Sequence, residues 1–170
     1  MVVPAFNEQK VIKDIINNLL KKFPNVIVVN DGSNDRTLEI INELDIKVLS
    51  HEINLGVGAA VQTGFDYVSN IPNAKAVITF DADGQHLVDD AVAMAKEILI
   101  CKEGIIFGTR FPKHSKNIPK VKRIVLKLIA RITDLVTGVI LSDAHNGLKA
   151  YKVSTIKELE LQFSSYSYES

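Results

Sequence analysis

Short runs rich in β-branched residues alternate along this chain with stretches of helical period, and that alternation limits the fold more than any other feature. The apolar runs are "VVPAF" at 2–6, "NVIVVND" at 25–31, "IKVLS" at 46–50, "KAVITF" at 75–80 and "GIIFGT" at 104–109. Each reads as a short buried strand. Between the first two, Val11, Ile12, Ile15, Ile16, Leu19 and Leu20 form one stripe of a helix over residues 8–22. Ser33 or Asn34 is placed to cap a second helix running to about Leu44. "GAAVQTGFDYVS" predicts a third helix and residues 87–101 a fourth. Continuously apolar strands alternating with amphipathic helices predict an α/β fold, with a mostly parallel sheet covered by helices on both faces. Such sheets bind ligands in the crevice beyond the carboxyl ends of their strands.

Those ends carry polar or turn-forming residues. The first strand runs into Pro4-Ala5-Phe6-Asn7-Glu8 and the second into Asn30-Asp31-Gly32-Ser33. The third leads to Asn54-Leu55-Gly56-Val57-Gly58, the fourth to Asp81-Ala82-Asp83 and the fifth to Gly108-Thr109-Arg110. Because side chains alternate on an extended chain, Asp81, Asp83 and Gln85 converge just past the fourth strand. Adjacent carboxylates repel each other, so the trio calls for a cation, and a hard divalent ion with oxygen ligands suits it. An ordinary Asp-Gly turn is the plain alternative. A calcium EF-hand loop counted from Asp81 fails, because the required glycine position holds His86 and the glutamate position Val92.

Composition narrows the class. At 170 residues the chain is one domain by size, and 20 basic residues balance 20 acidic ones, so no global field points to nucleic acid. Cys101 is the single cysteine, which excludes an internal disulfide framework and fits a reducing compartment. No signal peptide opens the chain, and no uncharged apolar run reaches the roughly 20 residues a bilayer span needs. The expectation is a cytoplasmic location. "GVGAAV" at 56–61 begins like a dinucleotide fingerprint but has Val61 where the third glycine belongs, and no G-x-x-x-x-G-K-[ST] occurs.

The segments "VVPAFNE", "VVNDGSNDRT", "NLGVGAAVQTG", "FDADGQH", "GTR" and "SDAHNGLKAY" follow one another in an order and spacing that resemble a family 2 glycosyltransferase with the Rossmann-like GT-A fold. The branch resembled includes dolichyl-phosphate mannose synthase and bacterial polyprenyl-phosphate glycosyltransferases. The resemblance covers residues 2–152. It implies an inverting enzyme that uses Mg²⁺ or Mn²⁺ to move a sugar from a UDP- or GDP-sugar to a polyprenyl (dolichyl or undecaprenyl) phosphate. It assigns Pro4, Phe6, Glu8, Val29 and Asp31 to the nucleotide, with Asp31 suited to accept a base N–H; the family's usual Asp-Asp pair reads Asn30-Asp31 here. Asp81, Ala82 and Asp83 match the diphosphate segment, with Asp81, Asp83 and Gln85 as metal ligands. Arg110, Lys122 and Arg123 match positions that meet phosphate, for which the guanidinium fork is suited. Asp83, Arg110 and Asp143 form the implied catalytic set.

Other readings of the same residues stay open. Asp31-Gly32-Ser33 also suits a turn and helix cap, Arg110 a solvated surface charge, and Asp143 a base, an acceptor contact or a turn former. His86 and His145 read as bystanders, and Gly56, Gly58 and Gly64 as sites of close helix packing. "IPKVKRIVLKLIARITDLVTGVIL" places Lys120, Lys122, Arg123, Lys127 and Arg131 among apolar positions of helical period. Such a helix suits the cytoplasmic surface of an anionic membrane, or packing on the core with a solvated face. The chain is expected to be a single catalytic domain over 1–170, truncated at its C-terminus. Alternatives in function are extension of a surface polysaccharide, a sugar-phosphate nucleotidyltransferase, and a silent nucleotide-binding module.

Overall fold

The computed structural model describes residues 1–82, 87–108 and 148–158. Its strands are β1 (Val2–Ala5), β2 (Ile27–Asp31), β3 (Lys47–His51), β4 (Ala76–Thr79), β5 (Ile105–Phe107) and β6 (Lys149–Lys152). The helices are α1 (Ile12–Leu20), α2 (Thr37–Asn42), α3 (Val57–Ser69), α4 (Val88–Ile100) and the single turn α5 (Val153–Ile156). They form one six-stranded sheet in the order β3-β2-β1-β4-β6-β5. The pairings β1 with β2, β2 with β3 and β1 with β4 are parallel, and β6 runs antiparallel to both its neighbours. The five strands expected from the sequence are present, and β6 is an addition to them.

Period-two alternation divides the sheet between two cores. Val3, Val28 and Ile78 face the layer built by Ile12, Ile16 and Leu19 of α1, Ile41 of α2 and Ile98 of α4. Val2, Ile27, Val29 and Val77 face Ala60, Val61, Phe65 and Val68 of α3, with Val153 and Ile156 of α5 alongside. Covering on both faces explains why β1 and β2 are buried at every position. Gly64 makes the second layer tight: a Cβ there would run into the Val2 side chain, so α3 lies directly on β1. Phe65 and Tyr151 lock the same layer edge-to-face, with ring centroids 4.9 Å apart.

The start of α2 differs from expectation. The helix begins at Thr37 with Arg36 at its N-cap position, and the Thr37 N–H donates to Asp35 Oδ1 at 2.9 Å, so the residue that steadies the helix start is Asp35 and not Ser33 or Asn34. Ser33 and Asn34 are drawn instead to the β1–α1 loop. The basic segment at 118–140 lies outside the described residues. Among the described residues, no helix is long and apolar enough to cross a membrane.

Candidate nucleotide-sugar site

Proline in a central strand is unusual, since it cannot donate to the ladder. In a parallel ladder the N–H and C=O of one residue point to the same side. Val2 O accepts the Phe80 N–H at 3.0 Å, so residues 2 and 4 direct their backbone groups toward β4. The missing N–H of Pro4 therefore falls on the β4 side, where pairing has already ended at Val2↔Thr79. The two strands part above that point, and chain order reverses there, with β2 and β3 on one side and β4 on the other. A cleft of about 460 Å³ opens at this switch point, lined among others by Pro4, Phe6, Glu8, Asp31, Asp81 and Ala82.

The same alternation that sorts the cores selects the lining. Val2, Val29 and Val77 belong to the α3 layer, so Pro4, Asp31 and Asp81, each two or four residues further on, emerge above it on one face. Val29, assigned to the nucleotide by resemblance, is fully buried beneath α3 and supports the cleft from below. Asn30 points to the opposite face, where its amide donates to Ser50 Oγ at 2.8 Å and its Oδ1 accepts the Ser33 N–H at 3.3 Å. The departure from Asp-Asp at that position therefore leaves the cleft wall untouched.

A lattice of side chain–backbone bonds holds the rim. Asn7 adopts the left-handed conformation at φ 59°, its N–H donating to Ser33 Oγ at 3.0 Å while its Oδ1 accepts the Asn34 N–H at 2.8 Å. The Glu8 N–H donates to Thr37 Oγ1 at 2.8 Å, and the Gln9 N–H to Asp35 Oδ2 at 3.2 Å. These bonds fix the β1–α1 loop, and Glu8 with it, to the start of α2. Burial alone would raise the Asp35 pKa, but the hydrogen bonds it accepts from Thr37 and Gln9 outweigh this and hold it below the usual aspartate value.

Asp31 is held by several hydrogen bonds, with a side chain only 3% exposed. Its Oδ1 accepts the Leu55 N–H at 2.9 Å and its Oδ2 the Gly56 N–H at 2.8 Å. His51, its register partner on β3, places Nδ1 2.7 Å from Oδ1, and His51 Nε2 lies 2.9 Å from Thr63 Oγ1 on α3. Asn54 Nδ2 adds a bond to the Asp31 carbonyl at 3.3 Å. The β3–α3 loop can approach this closely because residue 32 is glycine. It sits at φ 67°, and a Cβ there would overlap the backbone of Ile53 and Asn54.

The resemblance includes Asn54 and Gly56 in its segment "NLGVGAAVQTG" without giving them a role, and it passes over His51. Gly56, read from sequence as a packing glycine, lines the cleft and has φ 95°. Lys149, also not singled out, is buried in register with Thr79, its Nζ 5.8 Å from the centre of the Phe107 ring. Asp83, Gln85, Arg110, Lys122, Arg123 and Asp143 lie outside the described residues. The described lining holds three carboxylates, Glu8, Asp31 and Asp81, and no basic side chain. Among the described residues no three His, Cys, Asp or Glu side chains converge as a metal site; of the expected ligands Asp81 alone is described, on the cleft wall, where its carboxylate is an oxygen ligand suited to a hard divalent cation.

Residues 1–160 match the family model for glycosyl transferase family 2. The chain belongs to that family. It is 34% identical, over 189 residues, to UDP-N-acetylglucosamine–dolichyl-phosphate N-acetylglucosaminyltransferase of Methanococcus voltae, covering 99% of this chain and 75% of the relative. It is 24% identical over 164 residues to dolichyl-phosphate hexose transferase of Haloferax volcanii, covering 94% and 68%. Among solved structures it resembles glucosyl-3-phosphoglycerate synthase of Mycobacterium tuberculosis in complex with Mn²⁺, UDP-glucose and phosphoglyceric acid. The TM-score is 0.67 at 18% identity, covering 90% of this chain and 55% of that one. The likeness establishes a shared GT-A fold, and this family 2 chain spans little more than half the length of that structure.

Proposed function

We propose that this glycosyltransferase moves a sugar, with inversion, from a nucleotide-sugar donor to a polyprenyl phosphate at the cytoplasmic surface of a membrane. One observation carries the reading: in a family 2 chain, the cleft at the β1–β4 switch point gathers Pro4, Phe6, Glu8, Asp31 and Asp81 on one face. The Methanococcus and Haloferax relatives, both named for a dolichyl-phosphate acceptor, supply the class of acceptor. Inversion is a single displacement in which an acceptor oxygen forms its bond to the anomeric carbon as the bond to the diphosphate breaks. A polyprenyl phosphate brings an oxygen that is already anionic, so no general base is needed. Asp81, with Asp83 and Gln85, would hold a divalent ion, which would screen the donor's phosphates and stabilise the charge on the leaving diphosphate. Arg110, Lys122 and Arg123 complete the phosphate contacts and Asp143 the acceptor side in this reading.

The test is turnover of nucleotide sugars with Mg²⁺ or Mn²⁺, with and without dolichyl or undecaprenyl phosphate in detergent. Formation of a lipid-linked sugar, abolished by chelation, is expected. Transfer that proceeds equally well without the lipid phosphate refutes the acceptor assignment.

A further inference from the structure

We infer that Asp31, with one oxygen engaged by His51, reads the donor base through a single remaining acceptor position, so that the site takes a uracil or thymine nucleotide in preference to a guanine nucleotide. The inference rests on the reading of the cleft as a nucleotide-sugar site and makes His51 a positioning residue for base selection.

The argument is a count of lone pairs. An ionised carboxylate offers about four acceptor positions, two on each oxygen. On Oδ1 both are taken, by the Leu55 N–H and by His51 Nδ1. On Oδ2 one is taken, by the Gly56 N–H. A carboxylate only accepts, so His51 carries a proton on Nδ1, and Nε2 is held 2.9 Å from the Thr63 hydroxyl. One position remains, on Oδ2, of a residue that lines the cleft.

Bases differ in what they ask of such a group. Guanine presents two adjacent donors, N1–H and N2–H, which a carboxylate satisfies with both oxygens. Uracil and thymine present one imide N–H between two carbonyls and need one acceptor. Cytosine presents an unprotonated ring nitrogen at that place, which faces a carboxylate as one acceptor against another. With Oδ1 filled, guanine buries a donor that finds no partner on Asp31, while uracil or thymine loses nothing. His51 sets this selectivity without touching the base. The imide edge is common to uridine and thymidine diphosphates, and the sugar 2′-hydroxyl tells them apart.

Calorimetric titration with UDP, dTDP, GDP and 3-methyl-UDP, whose imide N–H is blocked, tests the inference in the presence of Mn²⁺. UDP is expected to bind about tenfold or more tightly than GDP, and 3-methylation to cost a similar factor. Separate UDP and dTDP arms show which sugar the site favours. His51→Ala, which frees a position on Oδ1, is expected to narrow the UDP-to-GDP ratio by about threefold or more, even if both affinities fall. A purely structural histidine would lower both together and leave the ratio unchanged. GDP binding equal to UDP, full affinity for 3-methyl-UDP, or an unchanged ratio in folded His51→Ala overturns the inference while leaving the nucleotide site standing. If no nucleotide binds, the site reading fails and base selection with it. Should His51→Ala not fold, the wild-type comparison of UDP with its 3-methyl derivative still decides.

Discussion

Replacing Gly32 with alanine concentrates three costs at one position. The residue sits at φ 67°, where a non-glycine residue is disfavoured by about 1–2 kcal/mol. The new Cβ would lie 2.5 Å from Asn54 N, and still nearer the Ile53 carbonyl carbon, both of them backbone atoms that cannot rotate away. Restoring ordinary contact requires the β3–α3 loop to retreat by about 1 Å. That movement stretches the Leu55 and Gly56 bonds to Asp31, now 2.9 and 2.8 Å, out of hydrogen-bonding range. Leaving a buried carboxylate partly unsatisfied costs about 1–3 kcal/mol more. The total, about 2–5 kcal/mol, is a large share of a domain's usual margin and corresponds to a fall in melting temperature of roughly 4–20 °C. Urea titration with a check on the m-value, beside calorimetric melting, measures it. Gly32→Asn should recover only about 1 kcal/mol, because asparagine tolerates the left-handed region but keeps the Cβ. An alanine variant within about 0.5 kcal/mol of wild type would refute the idea that residue 32 is glycine to admit the loop.

Gly64→Ala should cost about 1–3 kcal/mol through overlap with Val2, and the double variant with Val2→Ala should be less damaged than the sum of the two, read by denaturant midpoints. Asp35 is held below its ordinary pKa in the folded state, so its contribution is present above the unfolded pKa of about 4 and is lost as pH falls through the folded one. Asp35→Ala should therefore lower stability at pH 7 by about 1 kcal/mol and flatten the acid limb of a stability–pH curve; an unchanged limb would refute the assignment. Asp83→Asn should nearly abolish transfer and shrink the thermal shift given by nucleoside diphosphate plus Mn²⁺, while nucleoside alone binds as before. Wild-type transfer with the same metal dependence would remove the metal role. Changing Lys120, Lys122, Lys127 and Arg131 to glutamine should weaken binding to anionic vesicles and reduce its salt sensitivity; unchanged binding excludes the interfacial helix.

What the sequence makes legible is what local pattern controls. Continuous runs of β-branched residues mark β1 to β5, and apolar spacing marks the long helices, because each is set by neighbours a few residues away. β6 escaped notice because "KAYK" is four residues with a lysine at each end, and its partner on β4 is 70 residues distant, as the bond from Thr79 Oγ1 to the Lys149 carbonyl shows. The cap of α2 was misplaced because Ser33 and Asn34 have competing partners in the β1–α1 loop that no local rule reveals. Pro4, Phe6, Glu8, Asp31 and Asp81, singled out by motif, all line the cleft. His51 was not singled out, since a lone histidine at a strand end has no spacing to mark it. Only the register His51↔Asp31, a product of sheet formation, makes it part of the site.

The reversed strand also bears on how the polypeptide emerges from the ribosome. β6 separates β4 from β5, so the two earlier strands share no ladder of their own. During synthesis, β1 to β4 can assemble as soon as they leave the exit tunnel, whereas β5 must wait for the last partner to appear. Throughout that interval β4 presents an unsatisfied border, a template for any extended segment nearby. At about 5–20 residues per second, translating from Phe107 to Lys152 takes a few seconds. A nascent chain stalled in this window is the species in which chaperone dependence and misassociation should be greatest.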